Sequence, residues 1–141
     1  MQPITNSTPK CLVKIKGRPL LEYWLVLLEK HGIKEVLINT HHLHQQVSDY
    51  IDSIATSINI TISYEENLLG SYSTLVKNKA YYKDQESVLI ANADNLTNVN
   101  LSNFFEFHYS NSFGATLALS KAKNPTDVGV VEIDSNNKIV S

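Results

Sequence analysis

A chain of 141 residues with 43% apolar content can bury one real core and is too short for two full domains. Its formal net charge of -2 leaves no basic surplus for a nucleic-acid backbone or an anionic membrane surface, so neither is expected as a partner. The longest apolar runs, such as residues 24–28, fall far short of the roughly 20 residues needed to cross a bilayer. The single cysteine, Cys11, has no internal disulfide partner, and the opening residues lack a basic region followed by an apolar one. Together these features point to the reducing cytoplasm.

Along the chain, Pro19 sits where a first helical turn tolerates proline, and Leu20, Leu21, Trp24, Leu25, Leu27 and Leu28 form a broad apolar face. Gly32 follows as a stop, so a helix is expected here. Val36-Leu37-Ile38 reads as a short buried strand, Val47, Tyr50, Ile51 and Ile54 as a helical stripe, and residues 58–64 as a second strand. A helix over 71–80 and a buried strand over 87–91 follow, the strand ending abruptly at Asn92-Ala93-Asp94-Asn95. Phe104, Phe105 and Phe107 belong to a further helix, and 115–119 to a strand. Residues 128–133 are expected to pair with 138–140 in a C-terminal β-hairpin turning at Ser135-Asn136-Asn137. No repeat or Gly/Ser linker divides these elements, which predicts a single domain over 1–141. The alternation predicts an α/β, Rossmann-like fold with a mostly parallel sheet, helices on both faces, and ligands at the strands' carboxyl ends.

Four segments fall where loops leave that edge: Thr8-Pro9-Lys10, Asn39-Thr40-His41-His42, Tyr64-Glu65-Glu66-Asn67-Leu68-Leu69-Gly70, and Asn92-Ala93-Asp94-Asn95. Asp94, directly after an apolar strand, suits Mg²⁺, a hard cation that shares its sites among a carboxylate, phosphate oxygens and water. A strand-end Asx turn competes with that reading. Lys10 after a stiffening proline suits phosphate neutralisation, against the commoner fate of a solvated lysine. Glu65 or Glu66 has the acceptors to meet guanine's Watson-Crick edge, against a bland acidic loop. Gly70 admits close backbone approach or simply completes a turn. His41, His42 and His44 are spaced too closely to converge on one metal, and no hydrolytic triad is apparent.

Taken in order, these segments resemble the nucleotidyltransferases that make nucleotide-diphospho-sugars, especially the mannose-1-phosphate guanylyltransferase-like branch. Gln2-Pro3-Ile4-Thr5 with Thr8-Pro9-Lys10 looks like the end of that family's signature loop, and Gly17-Arg18-Pro19-Leu20-Leu21-Glu22-Tyr23 like its first helix entrance. Gly32-Ile33-Lys34-Glu35-Val36 and Asn39-Thr40-His41-His42-Leu43 match the next helix exit and strand end. The 64–70 segment resembles the base-recognition loop, Asn92-Ala93-Asp94-Asn95-Leu96 the metal-binding strand end, and Val128-Gly129-Val130-Val131-Glu132 the strand after it. By this resemblance Lys10 contacts phosphate and Asp94 binds Mg²⁺, these two being the catalytic pair. Glu65, Glu66, Leu69, Gly70 and Asn92 face the nucleotide. Three departures stand out: Ser71-Tyr72-Ser73 in place of a small, glycine-containing segment, Ala93 in place of glycine, and Leu68 in place of proline.

The implied reaction joins a nucleoside triphosphate and a sugar 1-phosphate into a nucleotide-sugar and pyrophosphate, with GTP and mannose 1-phosphate favoured. The attacking phosphate oxygen is already anionic, so alignment and charge neutralisation matter more than a base. A non-catalytic nucleotide-sugar-binding module and a glycosyltransferase of the same sheet are the alternatives. Relatives begin with an apolar strand and a glycine-rich loop that precede the position of Met1. The resemblance therefore implies a chain truncated at both ends, inactive alone, that borrows a strand or packs against another copy as a homo-oligomer.

Overall fold

In the computed structural model, residues 3–111, 114–122, 124, 126 and 129–140 are described. The chain divides into two compact units, Met1–Ser102 and Asn103–Ser141.

The first unit opens with three-ten turns at Ile4–Asn6 and Lys10–Leu12, followed by a small antiparallel pair, β1 (Lys14–Ile15) and β2 (Arg18–Pro19). Lys16 (φ 51°) and Gly17 (φ 82°) lie between them. Two successive positive φ angles are what a two-residue turn needs to match the strands' twist. Helix α1 (Leu20–Lys30) buries Leu20, Leu21, Leu25 and Leu28, and Pro19 caps it rather than entering its first turn. The helix closes as the sequence suggests. Gly32, at φ 78°, donates its N–H to Glu29 O (3.0 Å), and Ile33 N–H reaches Leu28 O (3.0 Å). This double closure satisfies two carbonyls that the helix leaves open and requires a left-handed residue between them.

Strand β3 (Glu35–Thr40), helix α2 (His44–Ser53) and strand β4 (Asn59–Tyr64) form a parallel crossover unit, paired in register from Glu35 with Asn59 to Thr40 with Tyr64. Tyr50 donates its hydroxyl hydrogen to Glu22 Oε2 (2.8 Å), and Ser57 N–H donates to Glu29 Oε1 (2.9 Å), so α1 carboxylates hold α2 and the entry to β4. Val47, Ile58 and Leu101 complete the buried core of this unit. Parallel pairing puts the ends of β3 and β4 at one edge, and that places the loops leaving Thr40 and Tyr64 side by side.

The helix expected over 71–80 is two pieces, α3 (Ser71–Lys77) and α4 (Lys79–Tyr82). Asn78 interrupts them at φ -95°, ψ 12°, and its side-chain amide donates to Thr74 O (2.9 Å). A short polar side chain that bonds to its own backbone competes with the helical ladder.

Among the described residues, 87–91 pair with no strand, and Val88 and Ile90 are 45% and 64% exposed. The expected strand is thus absent from the described sheet pairs. A strand exists through a neighbour's hydrogen bonds, and composition sets its potential without supplying that neighbour. For the same reason Val36, Leu37 and Ile38 are only half-buried. The parallel sheet is represented by one pair, β3 with β4.

In the second unit, the helix expected around Phe104 is present as part of α5 (Leu101–Ser110), whose first two residues belong to the first unit. Residues 115–119 pair with no strand among the described residues. The expected C-terminal hairpin is reduced to one antiparallel bridge, Ile133 with Ile139, around a turn in which Asp134 Oδ1 accepts from Asn136 and Lys138 N–H (2.9 Å each). Val128, the start of its expected first strand, lies outside the described residues.

Candidate functional site

Two groups of candidate side chains assemble in the first unit. The first is built where β3 and β4 end. The backbone N–H of Glu65 extends the ladder to Thr40 O (2.8 Å), and His41 Nδ1 donates to Glu65 O (2.9 Å). The Glu65 side chain turns inward and is 1% exposed. Its Oε1 accepts from Thr74 Oγ1 (2.6 Å) and its Oε2 from Leu69 N–H (3.2 Å). The Asn39 amide, in the orientation its neighbours require, donates to Ser63 O (3.2 Å) and Glu65 Oε1 (3.1 Å). Burial pushes the Glu65 carboxyl up, but the hydrogen bonds from Thr74, Leu69 and Asn39 and the Lys77 charge outweigh it, leaving the carboxyl below its ordinary range.

Between Glu65 and α3 the loop is open to solvent. Glu66 is exposed, and Leu68 and Leu69 are 73% and 44% exposed. Gly70 enters α3 at φ 81°, ψ 161°, and its carbonyl accepts from Thr74 N–H (3.0 Å). A Cβ there would meet nothing within 4 Å, so the backbone angle alone calls for glycine.

The second group is Lys10 with Asp94. Buried Pro9 (ψ 141°) directs the chain into the turn that Lys10 opens. Asp94 lies in a tight turn closed by Asn95 N–H to Asn92 O (3.1 Å). Trp24 Nε1 of α1 donates to Asn95 O (2.8 Å) and fixes this turn to the helix. Lys10 Nζ stands 3.8 Å from Asp94 Oδ2, with the two side chains 61% and 40% exposed. At that exposure the pair contributes at most about 1 kcal/mol, and both charges remain open to a ligand. Burial pushes the neighbouring Cys11 thiol up and Asp94 adds to the effect, which disfavours a thiolate nucleophile.

The histidines connect rather than cluster. His41 binds the Glu65 carbonyl, His42 Nε2 donates to Thr5 O (3.1 Å), and the His44 ring lies 4.1 Å from that of Tyr64. With Gln46 Nε2 donating to Ser7 O (3.1 Å), His42 ties the β3 exit to the segment leading into Lys10. No group of three or more His, Cys, Asp or Glu that could hold a metal occurs among the described residues.

Sequence reasoning passed over Thr74, Asn39 and Trp24 as site-building residues. Asn39 lay within a segment already singled out, and Trp24 read only as part of an apolar face, although an indole at the edge of a core generally finds a partner for its N–H. No local signal pairs Thr74 with Glu65.

A parallel strand pair joined through a helix, with loops leaving its carboxyl edge, places the chain in the α/β class, where ligands generally bind at that edge. The model of the nucleotidyl transferase family matches residues 1–141, and the chain belongs to that family. It is 30% identical to the D-glycero-alpha-D-manno-heptose 1-phosphate guanylyltransferase of Aneurinibacillus thermoaerophilus, over 100% of this chain and 60% of that protein. It is 27% identical to the mannose-1-phosphate guanylyltransferase of Mycobacterium tuberculosis, over 100% of this chain and 39% of that protein. The UTP--glucose-1-phosphate uridylyltransferase of a Synechocystis strain matches at 27% identity, over 100% of this chain and 40% of that protein. The chain therefore spans 39% to 60% of these relatives' lengths. Among the described residues, no helix is long and apolar enough to cross a membrane.

Proposed function

We propose that this chain forms the nucleotide-handling part of an enzyme that transfers a nucleotidyl group from a nucleoside triphosphate to a sugar 1-phosphate, releasing pyrophosphate. GTP and mannose 1-phosphate, or a closely related manno-configured sugar phosphate, are the favoured substrates. The observation that carries the reading is the approach of Lys10 to Asp94 at 3.8 Å with both groups open to solvent. In this role the Lys10 ammonium moves from Asp94 to the phosphates and neutralises their charge as a compact cation. Asp94, freed from Lys10, would be the residue to hold Mg²⁺. Bound there, the ion supplies charge neutralisation on the phosphate oxygens. The 66–70 loop faces the base and ribose, with exposed Glu66 better placed than buried Glu65 to accept from a guanine. Asn92, in the turn that carries Asp94, is assigned to the nucleotide with it. The attacking oxygen carries its own negative charge, so no proton-abstracting side chain is required.

The guanylyltransferase names among the relatives support the choice of base, and the uridylyltransferase supplies the competing one. A thermal-shift panel of Mg²⁺ complexes tests it. The expected ranking places GTP above UTP and dTTP, and the reverse ranking refutes the guanine preference.

A further inference from the structure

Glu65 is a costly residue to have where it is. A carboxylate at 1% exposure loses its hydration, and only internal donors can compensate. Three do so, and they come from three different parts of the chain: Asn39 on β3, Leu69 in the loop and Thr74 on α3. Its main chain adds two more links, to Thr40 O and from His41 Nδ1. Each side-chain oxygen thereby accepts at least one internal hydrogen bond, and at 1% exposure the residue offers little surface to a ligand. Glu66, the next residue, is exposed.

We propose that Glu65 is the positioning residue of the nucleotide site, a buried brace that locks the 66–70 loop and the start of α3 onto the carboxyl ends of β3 and β4. It acts on the nucleotide through the loop it holds and does not read the base itself. This rests on the reading of the loop as the part that faces the nucleotide. The loop's exposed residues make few packing contacts of their own, so its shape depends on its anchors. Without the Leu69 bond to Glu65, that amide has no comparable partner in the loop, and local opening becomes easy.

The test is amide hydrogen exchange on the free chain, comparing wild type with Glu65→Gln and Thr74→Val. Gln keeps one acceptor oxygen and sets its amide group against either the Leu69 or the Thr74 donor, which bind different oxygens, and Val removes only the Thr74 hydroxyl. The brace predicts at least tenfold faster exchange at Leu69 in both variants, with α1 amides unchanged. Thr74→Val keeps the test decisive if Glu65→Gln does not fold. Wild-type exchange at Leu69 in Thr74→Val overturns the brace. Titration with Mg²⁺ complexes of GTP and UTP gives a second readout, in which both variants weaken both nucleotides by the same factor. A loss confined to GTP in Glu65→Gln, with Thr74→Val binding as wild type, overturns the proposal in favour of direct base reading. Faster exchange at Leu69 without nucleotide binding by the wild type supports the brace and removes the functional reading alone.

Discussion

Asp94→Asn separates the functional from the structural content of the Lys10–Asp94 pair. The two groups are 3.8 Å apart and 61% and 40% exposed. An exposed pair of this kind contributes about 0 to 1 kcal/mol, and asparagine keeps the size of the side chain and its ability to support the turn at 92–95. For a chain of 141 residues, the expected fall in melting temperature is therefore under about 5 °C. Catalysis is a different matter. Charge neutralisation on a transferring phosphoryl group is worth several kcal/mol. At about 1.4 kcal/mol per decade, its loss lowers turnover by about 100-fold or more. The assay is pyrophosphate release from GTP and mannose 1-phosphate in Mg²⁺ by the enzyme containing this chain, run beside a thermal melt of the same variant. A melt within the stated range and a turnover lower by orders of magnitude is the expected pair of results. Wild-type turnover in Mg²⁺ refutes the role of Asp94, and a large drop in melting temperature refutes the separation of function from fold.

Gly32→Ala loses about 1–2 kcal/mol, because φ 78° is strained for any residue with a Cβ while nothing within 4 Å crowds the site. Gly32→Asn loses less, and urea midpoints read both. Glu65 makes stability pH-dependent in a defined direction. Its folded carboxyl titrates below the ordinary value of 4.5, so its contribution is fully present above that value and fades as pH falls through the lower folded one. The stability gap between wild type and Glu65→Gln is accordingly constant from pH 7 to about 5 and shrinks below about 4.5. A gap that persists unchanged to pH 3 contradicts the shift.

Much of the first unit was legible because its signals are local. The apolar face of α1, the proline before it and the left-handed Gly32 after it each act within a few residues, and the structure places the helix where they indicate. β3 and β4 were legible from short apolar runs, and their register follows from one parallel crossover. The strands expected at 87–91 and 115–119 were not recoverable in the same way. Their composition suits a sheet, but pairing depends on a neighbour that local composition does not supply. The break at Asn78 turns on one side-chain bond to Thr74 O, which no propensity pattern encodes.

At the site, Lys10 and Asp94 were named from a resemblance, since chemistry alone favoured a solvated lysine and a turn aspartate. The structure sets them beside each other. Which way Glu65 and Glu66 point was illegible, because adjacent acidic residues at a strand end differ only in the tertiary donors they meet. Glu65 meets Asn39, Leu69 and Thr74, and Glu66 meets solvent.

The central claim is that a nucleotide binds at the carboxyl edge of β3 and β4, between the 66–70 loop and the Lys10–Asp94 pair. Residue-by-residue amide chemical shifts during a titration of the chain with GTP and Mg²⁺ test it most directly. The account predicts saturable shifts at Lys10, across 66–70 and across 92–95, weakened by Lys10→Ala. Shifts confined instead to the shallow cleft lined by Leu25, Val26, Ile54 and Thr56, or no saturable shift at the carboxyl edge at millimolar GTP, would contradict it.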